Sequence, residues 1–159
     1  DAHRLVLASD LVPLPDLLAE TTHQVEKIAV AKYVTLTLDT AQGAVRGDRV
    51  RLRQVLLILL DNALRFTPAG GTIRLGALVR GREVVVHVAD SGAGIPPEHL
   101  AHVFERFYQV PGQPVDGHGN GLGLSIAREL VEAQRGKITV SSPAGKGTYV
   151  QIVLPAAED

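Results

Sequence analysis

Apolar positions recur along this chain with two periods, and the switches between them lay out its elements. Leu17, Leu18, Val25, Ile28, Ala29 and Ala31 return at helical spacing over residues 17–33, behind Pro15 and Asp16, which suit a first helical turn. Before them, the apolar run at 5–7 and Asp10-Leu11-Val12, followed by Pro13, predict an edge strand and a turn. Val34-Thr35-Leu36-Thr37-Leu38-Asp39 alternates at period two with β-branched residues and predicts a strand. Gln42-Gly43 turns the chain, and Val45-Arg46-Gly47 reads as a short strand returning. Asp48 is placed to cap a helix running from Arg49 to about Phe66. Its apolar face is Leu52, Val55, Leu56, Leu59, Leu60 and Ala63, and Pro68 stops it.

Alternating runs at 72–79 and 83–90 flank a Gly81-Arg82 turn, the pattern of an antiparallel hairpin. Within it His87 sits between Val86 and Val88, so it faces a solvated or partly covered sheet surface. Pro97 to Leu100 predicts a short helix. A further helix runs from Gly123 to Arg135 with Ile126, Ala127, Leu130 and Val131 inward, closed by Gly136. Strands follow at 137–140 and 149–154. Together these predict an α/β fold, a two-layer sandwich whose mixed, about five-stranded sheet is covered on one face by three helices. No repeat or linker divides residues 1–159, which read as one domain.

Composition narrows the chemistry. The 159 residues are 45% hydrophobic and 21% charged, as in a globular protein. The formal charge of -1 and pI near 6.7 leave no basic field for nucleic acid. Absence of cysteine excludes thiolate catalysis, disulfides and cysteine-ligated metals. The uninterrupted apolar run from Val55 to Leu60 is far too short to cross a bilayer, so direct membrane contact is not expected. The opening Asp1-Ala2-His3, without an initiator methionine, reads as an excised, cytoplasmic fragment, any membrane anchor of its parent lying elsewhere. His23 and Glu26, three apart on a helix, read as surface residues rather than a metal site.

The candidate chemistry lies where periodicity breaks. Gly117-His118-Gly119-Asn120-Gly121-Leu122-Gly123 places a glycine at every second position and then opens a helix. Such a run lets backbone approach a ligand, and the helix start offers unpaired N–H groups to an anion. Residues 109–120 form the one long aperiodic stretch, the kind of loop that carries function or closes as a lid. Asp61-Asn62-Ala63 and Arg65 stand near the end of the second long helix. Asp90 ends a strand ahead of Gly92 and Gly94, and Gly145-Lys146-Gly147-Thr148 joins the last two strands. No stretch matches Gly-x-x-x-x-Gly-Lys-Ser/Thr or a dinucleotide-binding βαβ unit.

In this order and spacing, the motifs resemble those of the ATP-binding catalytic domain of bacterial sensor histidine kinases, within the superfamily shared with DNA gyrase B, Hsp90 and MutL. The resemblance covers residues 11–155. Residues 53–68 resemble the N box and Asp90-Ser91-Gly92-Ala93-Gly94-Ile95 the G1 box. Val103-Phe104-Glu105-Arg106-Phe107-Tyr108 resembles the F box, Gly119-Asn120-Gly121-Leu122-Gly123-Leu124 the G2 box, and Gly145-Lys146-Gly147-Thr148 the last glycine motif. The resemblance implies that Asn62 gives its amide oxygen to a Mg²⁺ on the ATP phosphates. It implies that Arg65, where lysine is common, neutralises phosphate charge, and that Asp90 accepts from the adenine amine. Gly92 and Gly94 would let backbone lie against the ring, with Ile95, Leu122 and Leu124 as apolar walls and Thr148 at the adenine edge. Gly119, Gly121 and Gly123 would cradle phosphate, Arg106 would contact it, and Phe104, Phe107 and residues 109–117 would pack and hinge an ATP lid.

Two positions depart from the family pattern. Ile58 stands where many members carry a second asparagine, and where the gyrase and Hsp90 branches carry a water-activating glutamate. His118 stands where glycine is common. The implied reaction passes the γ-phosphoryl group of ATP to a histidine on a separate dimerisation domain, and thence to a response regulator. None of His3, His23, His87, His99, His102 and His118 has the setting of such an acceptor, so the dimerisation domain is expected to be absent and the fragment monomeric. A serine/threonine kinase or anti-sigma factor of the superfamily, and a regulatory module without nucleotide turnover, remain as alternatives.

Overall fold

A computed structural model describes residues 6–109, 123–143 and 145–157. The chain runs β1 (Asp10–Pro13), α1 (Leu14–Ala31), β2 (Thr35–Ala41), β3 (Ala44–Gly47), α2 (Arg49–Phe66), β4 (Thr72–Arg80), β5 (Glu83–Asp90), α3 (Pro97–Leu100), α4 (Gly123–Ala133), β6 (Lys137–Ser141) and β7 (Thr148–Pro155). Five strands form one mixed sheet in the order β2-β4-β5-β7-β6. The β2–β4 pair is parallel and the others antiparallel. Helices α1, α2 and α4 pack on a single face. The two-layer sandwich predicted from the pattern is the fold observed.

Strand alternation explains the layering. Ile73, Leu75 and Ala77 of β4, Val84, Val86 and Val88 of β5, and Ile152 and Leu154 of β7 all enter the core, as period-two side chains on one sheet face must. They meet Leu14, Leu17 and Leu18 of α1, a continuous stripe of α2 from Leu52 to Leu64, and Ala127, Leu130 and Val131 of α4. His87 lies on the opposite face, as its alternation requires. Its ring covers Gly76, where a Cβ would fall 2.6 Å from the imidazole, and stacks on Tyr149 at 5.8 Å. Asp39 approaches it at 3.7 Å while accepting from Arg74 at 3.0 Å.

Helix boundaries follow local chemistry. Pro13 is extended and Pro15 sits in the first turn of α1, where its missing N–H is no loss. That helix stops at Ala31, two residues before the spacing predicts, because Tyr33 turns left-handed at φ 59°. Thr21, buried within it, satisfies its hydroxyl by donating to the Leu17 carbonyl at 2.7 Å. Arg49 and Arg53 of α2 both reach Glu20 on α1. Among the described residues no helix is long and apolar enough to cross a membrane.

One pairing departs from the pattern. The short strand at Val45-Arg46-Gly47 does not return along its predecessor. It leaves the main sheet and pairs antiparallel with β1, Val12 opposite Val45, while β2 pairs instead with β4. The reason is burial: Val12 and Val45 are both fully enclosed, and Val45 also bridges Ala156 at the chain's end. The first strand accordingly occupies Asp10–Pro13, and residues 6–9 before it are irregular.

Asp48 caps α2 as its position predicts, one carboxylate oxygen accepting from Arg51 N–H at 3.0 Å. It does more. The other oxygen accepts from Ala8 N–H at 3.0 Å, and Asp48's own N–H donates to Gln134 Oε1, just past the end of α4, at 2.8 Å. The Ala8 hydrogen bond leads the effects that hold this carboxyl below the usual aspartate range. A group so depressed stabilises the fold fully above its unfolded pKa and loses that contribution as pH falls through the folded value. Asp48→Ala is expected to cost about 1–3 kcal/mol in urea denaturation at neutral pH. The gap between the two proteins should narrow below about pH 4, and a gap that is unchanged by acid would contradict this assignment.

Candidate nucleotide site

Two turns and one helix end converge at the same end of the central strands. Helix α2 buries Leu52, Val55, Leu56, Leu59, Leu60, Ala63 and Leu64; Ile58 packs against that core, while Asp61 reaches solvent and Arg65 is largely covered. Asn62 is half-exposed, one turn beyond Ile58. Arg65 is anchored at the helix end, paired with Asp61 at 2.7 Å and lying 5.8 Å from the Phe66 ring. The carbonyl of Phe66 then meets the turn after β5. A Cβ at Gly92 would fall 2.5 Å from it, so only glycine lets the helix end and that turn touch.

Asp90 is the last residue of β5, with Ile73 of β4 on one side and Thr148 of β7 on the other. Its Oδ1 accepts from Gly92 N–H at 2.8 Å, the local bond expected when an aspartate opens a turn. Burial raises this carboxyl above the usual aspartate range, opposed by the hydrogen bonds from the Gly92 and Thr148 backbones. Gly147 presses against the same residue from β7's side. A Cβ there would lie 1.9 Å from the Asp90 carbonyl oxygen, and its φ is +74°. Gly94, at φ +81°, leaves 2.7 Å to Ser142 Oγ and 3.1 Å to the Gly147 carbonyl. Three glycines thus line a backbone-walled recess beside one partly buried carboxylate.

The other positions singled out in the sequence are placed as follows. Ile95 and Thr148 are half-buried at the recess. Leu124 packs against the core, and Gly123 opens α4 directly over Ile58, whose Cγ2 lies 3.3 Å from a Cβ built there. Phe104 packs against the core with the Arg128 guanidinium 5.6 Å from its ring. Phe107 does not pack: it is 70% exposed at φ +66°. Its neighbour Tyr108 is the one held in place, hydrogen-bonded to His99 and stacked on His102 at 5.3 Å. Arg106 is paired with Glu129 of α4 at 2.7 Å. Gly119, Gly121, Leu122, His118 and the rest of residues 110–122 lie outside the described residues.

One residue at the site carried no sequence signal. Ser142 follows β6, accepts from Ile95 N–H at 2.7 Å and donates to the Gly147 carbonyl at 2.7 Å. A serine before a proline reads only as turn chemistry. Among the described residues no group of three or more histidine, aspartate or glutamate side chains is set to hold a metal. Such a donor set would suit a cation that arrives on a polyanionic ligand, to which Asn62 could add one hard oxygen, better than a protein-only cage.

The model of the histidine kinase-, DNA gyrase B- and HSP90-like ATPases matches residues 47–158, and the chain belongs to that family. The relatives and solved structures it resembles are sensor histidine kinases. It is 37% identical to sensor histidine kinase CusS of Escherichia coli K12, over 98% of this chain and 32% of CusS. Its fold superposes on the mycobacterial sensor histidine kinase MprB with TM-score 0.86 and 27% identity, over 94% of this chain and all of that one. Full-length ShkA in complex with AMPPNP matches with TM-score 0.82 and 31% identity, over the whole of this chain and 33% of ShkA. The chain spans about a third of the length of the curated relatives it matches.

The glycine contacts separate conformational from steric demand. Gly145 and Gly147 share φ +74°, but nothing lies within 4 Å of a Cβ at Gly145. Gly145→Ala should therefore cost only the left-handed penalty, about 1–2 kcal/mol. Gly147→Ala adds a collision with the Asp90 backbone and should lose more in chemical denaturation. Equal losses would show that the turn yields at Gly147.

Proposed function

We propose that this domain holds ATP with Mg²⁺ and presents the γ-phosphoryl group to a histidine on a separate dimerisation domain. The observation that carries the reading is the close approach of the Phe66 carbonyl to Gly92. It sets Asn62 and Arg65 beside the Asp90 recess, so that one ligand with a base and a phosphate chain reaches both.

Asp90 keeps acceptor capacity beyond the bonds from the Gly92 and Thr148 backbones, and that capacity accepts from the exocyclic amine of adenine. A partly buried acceptor rejects a base lacking the donor more strongly than pocket shape does. Gly92 and Gly94 bring backbone against the ring, Ile95, Leu122 and Leu124 wall it, and Thr148 meets its edge. Asn62 contributes an amide oxygen to the metal. Bound Mg²⁺ supplies charge neutralisation along the phosphates, the main requirement of phosphoryl transfer. Arg65 adds to it from the helix end, with Gly119, Gly121 and Gly123 cradling phosphate and Arg106 joining them once released from Glu129.

Ile58 has no acidic or basic group and cannot activate water, which favours transfer to protein over hydrolysis. The acceptor histidine belongs to the dimerisation domain, and the phosphoryl group passes on to a response regulator. ATP and that regulator set the working compartment as the cytoplasm. On this reading residues 1–159 are one catalytic domain, monomeric alone and with little turnover.

Calorimetric titration with ATP and Mg²⁺ tests the proposal. Asn62→Ala and Asp90→Asn should each weaken binding at least about tenfold, or ~1.4 kcal/mol. The carboxamide of Asp90→Asn turns one of the two accepting oxygens into an NH2 donor, which meets a donor hydrogen where the carboxylate accepted one. Failure of ATP to bind, or indifference to both changes, overturns the proposal. Acidification provides a further check, because the accepting form of Asp90 is the ionised one and its pKa is raised. Affinity should begin to fall at a higher pH than an ordinary aspartate would give, and Asp90→Asn should remove that component while leaving the nucleotide's own titration.

A further inference from the structure

The ladder that joins the two turns of the recess ends at Asp90 and Thr148. Gly94 and Ile95 lie beyond it, so strand pairing does not fix their distance from the last glycine turn. Ser142 does. Its hydroxyl uses both of its roles at once, accepting from Ile95 N–H and donating to the Gly147 carbonyl, each at 2.7 Å. Gly147 in turn rests on the Asp90 backbone, and Gly94 has no room for a Cβ between Ser142 Oγ and the Gly147 carbonyl. One oxygen atom therefore spaces the turn that begins at Asp90 from the turn that ends at Thr148.

We propose that Ser142 is the positioning residue for base selection: by clamping Ile95 to Gly147 it holds the recess at the width at which Asp90 distinguishes an amino-purine from an oxo-purine. This rests on the nucleotide-binding reading above. Ser142 does not touch the base. It acts through the backbone walls against which the base lies, and alanine at this position leaves a half-buried N–H and a carbonyl without their partner. The recess then opens or shifts, and a displaced base meets Asp90 at a geometry that favours the amine less.

The test compares the dissociation constants of ATP and inosine triphosphate, each with Mg²⁺, for the unmutated chain and for Ser142→Ala. These ligands share sugar and phosphates and differ at the base substituent that Asp90 faces, so general loss of structure cancels in the ratio. The unmutated chain should prefer ATP, and Ser142→Ala should reduce that preference about tenfold. An equal loss for both ligands, or no change, overturns the proposal. A readout without substitution is hydrogen exchange at Ile95 in the free domain: protection is expected, and exchange as fast as in an open loop overturns it. If the unmutated chain binds neither ligand, the nucleotide reading itself falls. If it binds ATP and responds to Asp90→Asn but not to Ser142→Ala, only the role of Ser142 falls.

Discussion

Helix α2 has to satisfy two demands with one surface, and the rest of the structure follows from how it does so. Its buried stripe from Leu52 to Leu64 fixes its rotation over β5 and between α1 and α4. At a period of 3.6 residues that rotation leaves no freedom to choose where Asn62 and Arg65 fall. They emerge at the C-terminal end, and the Phe66 carbonyl then abuts Gly92. The site is where it is because the core is where it is. A helix turned by one residue would bury Asn62 and expose Leu64.

The recess beside that helix end is a backbone structure more than a side-chain one. Gly92, Gly94 and Gly147 each stand where a Cβ would collide, with the Phe66 carbonyl, the Ser142 hydroxyl and the Asp90 carbonyl in turn. Peptide groups are stiffer than side chains, so walls built from them hold their spacing without packing partners. Among the described residues Asp90 is the ionisable group that the recess encloses, and enclosure is what raises its pKa.

Much of this was legible in the sequence, for a physical reason in each case. The long helices declare themselves through apolar periodicity, the β4–β5 hairpin through alternation around Gly81, and the cap of α2 through Asp48. Glycines at 92, 94 and 147 are visible because collisions and positive φ leave few substitutes. What was not legible is pairing between segments distant in sequence: nothing local in Val45-Arg46-Gly47 says that its partner is β1. Phe107 misleads because an aromatic residue suggests a core, whereas its left-handed backbone turns it out to solvent. Ser142 was invisible because a single hydroxyl in a turn has no period.

The node at Asp48 carries a consequence for the entropy of the chain. Its carboxylate ties residue 8 across a separation of 40 positions, and its amide ties residue 134 across 86. Closure entropy grows only with the logarithm of loop length, so the longer tie is harder to make by roughly 0.6 kcal/mol. Two loops of very different size are thus closed at nearly equal expense, and at one residue. The segment leading into the domain, the start of the helix that bears Asn62 and the end of the helix that Gly123 opens are neighbours through that single crossing.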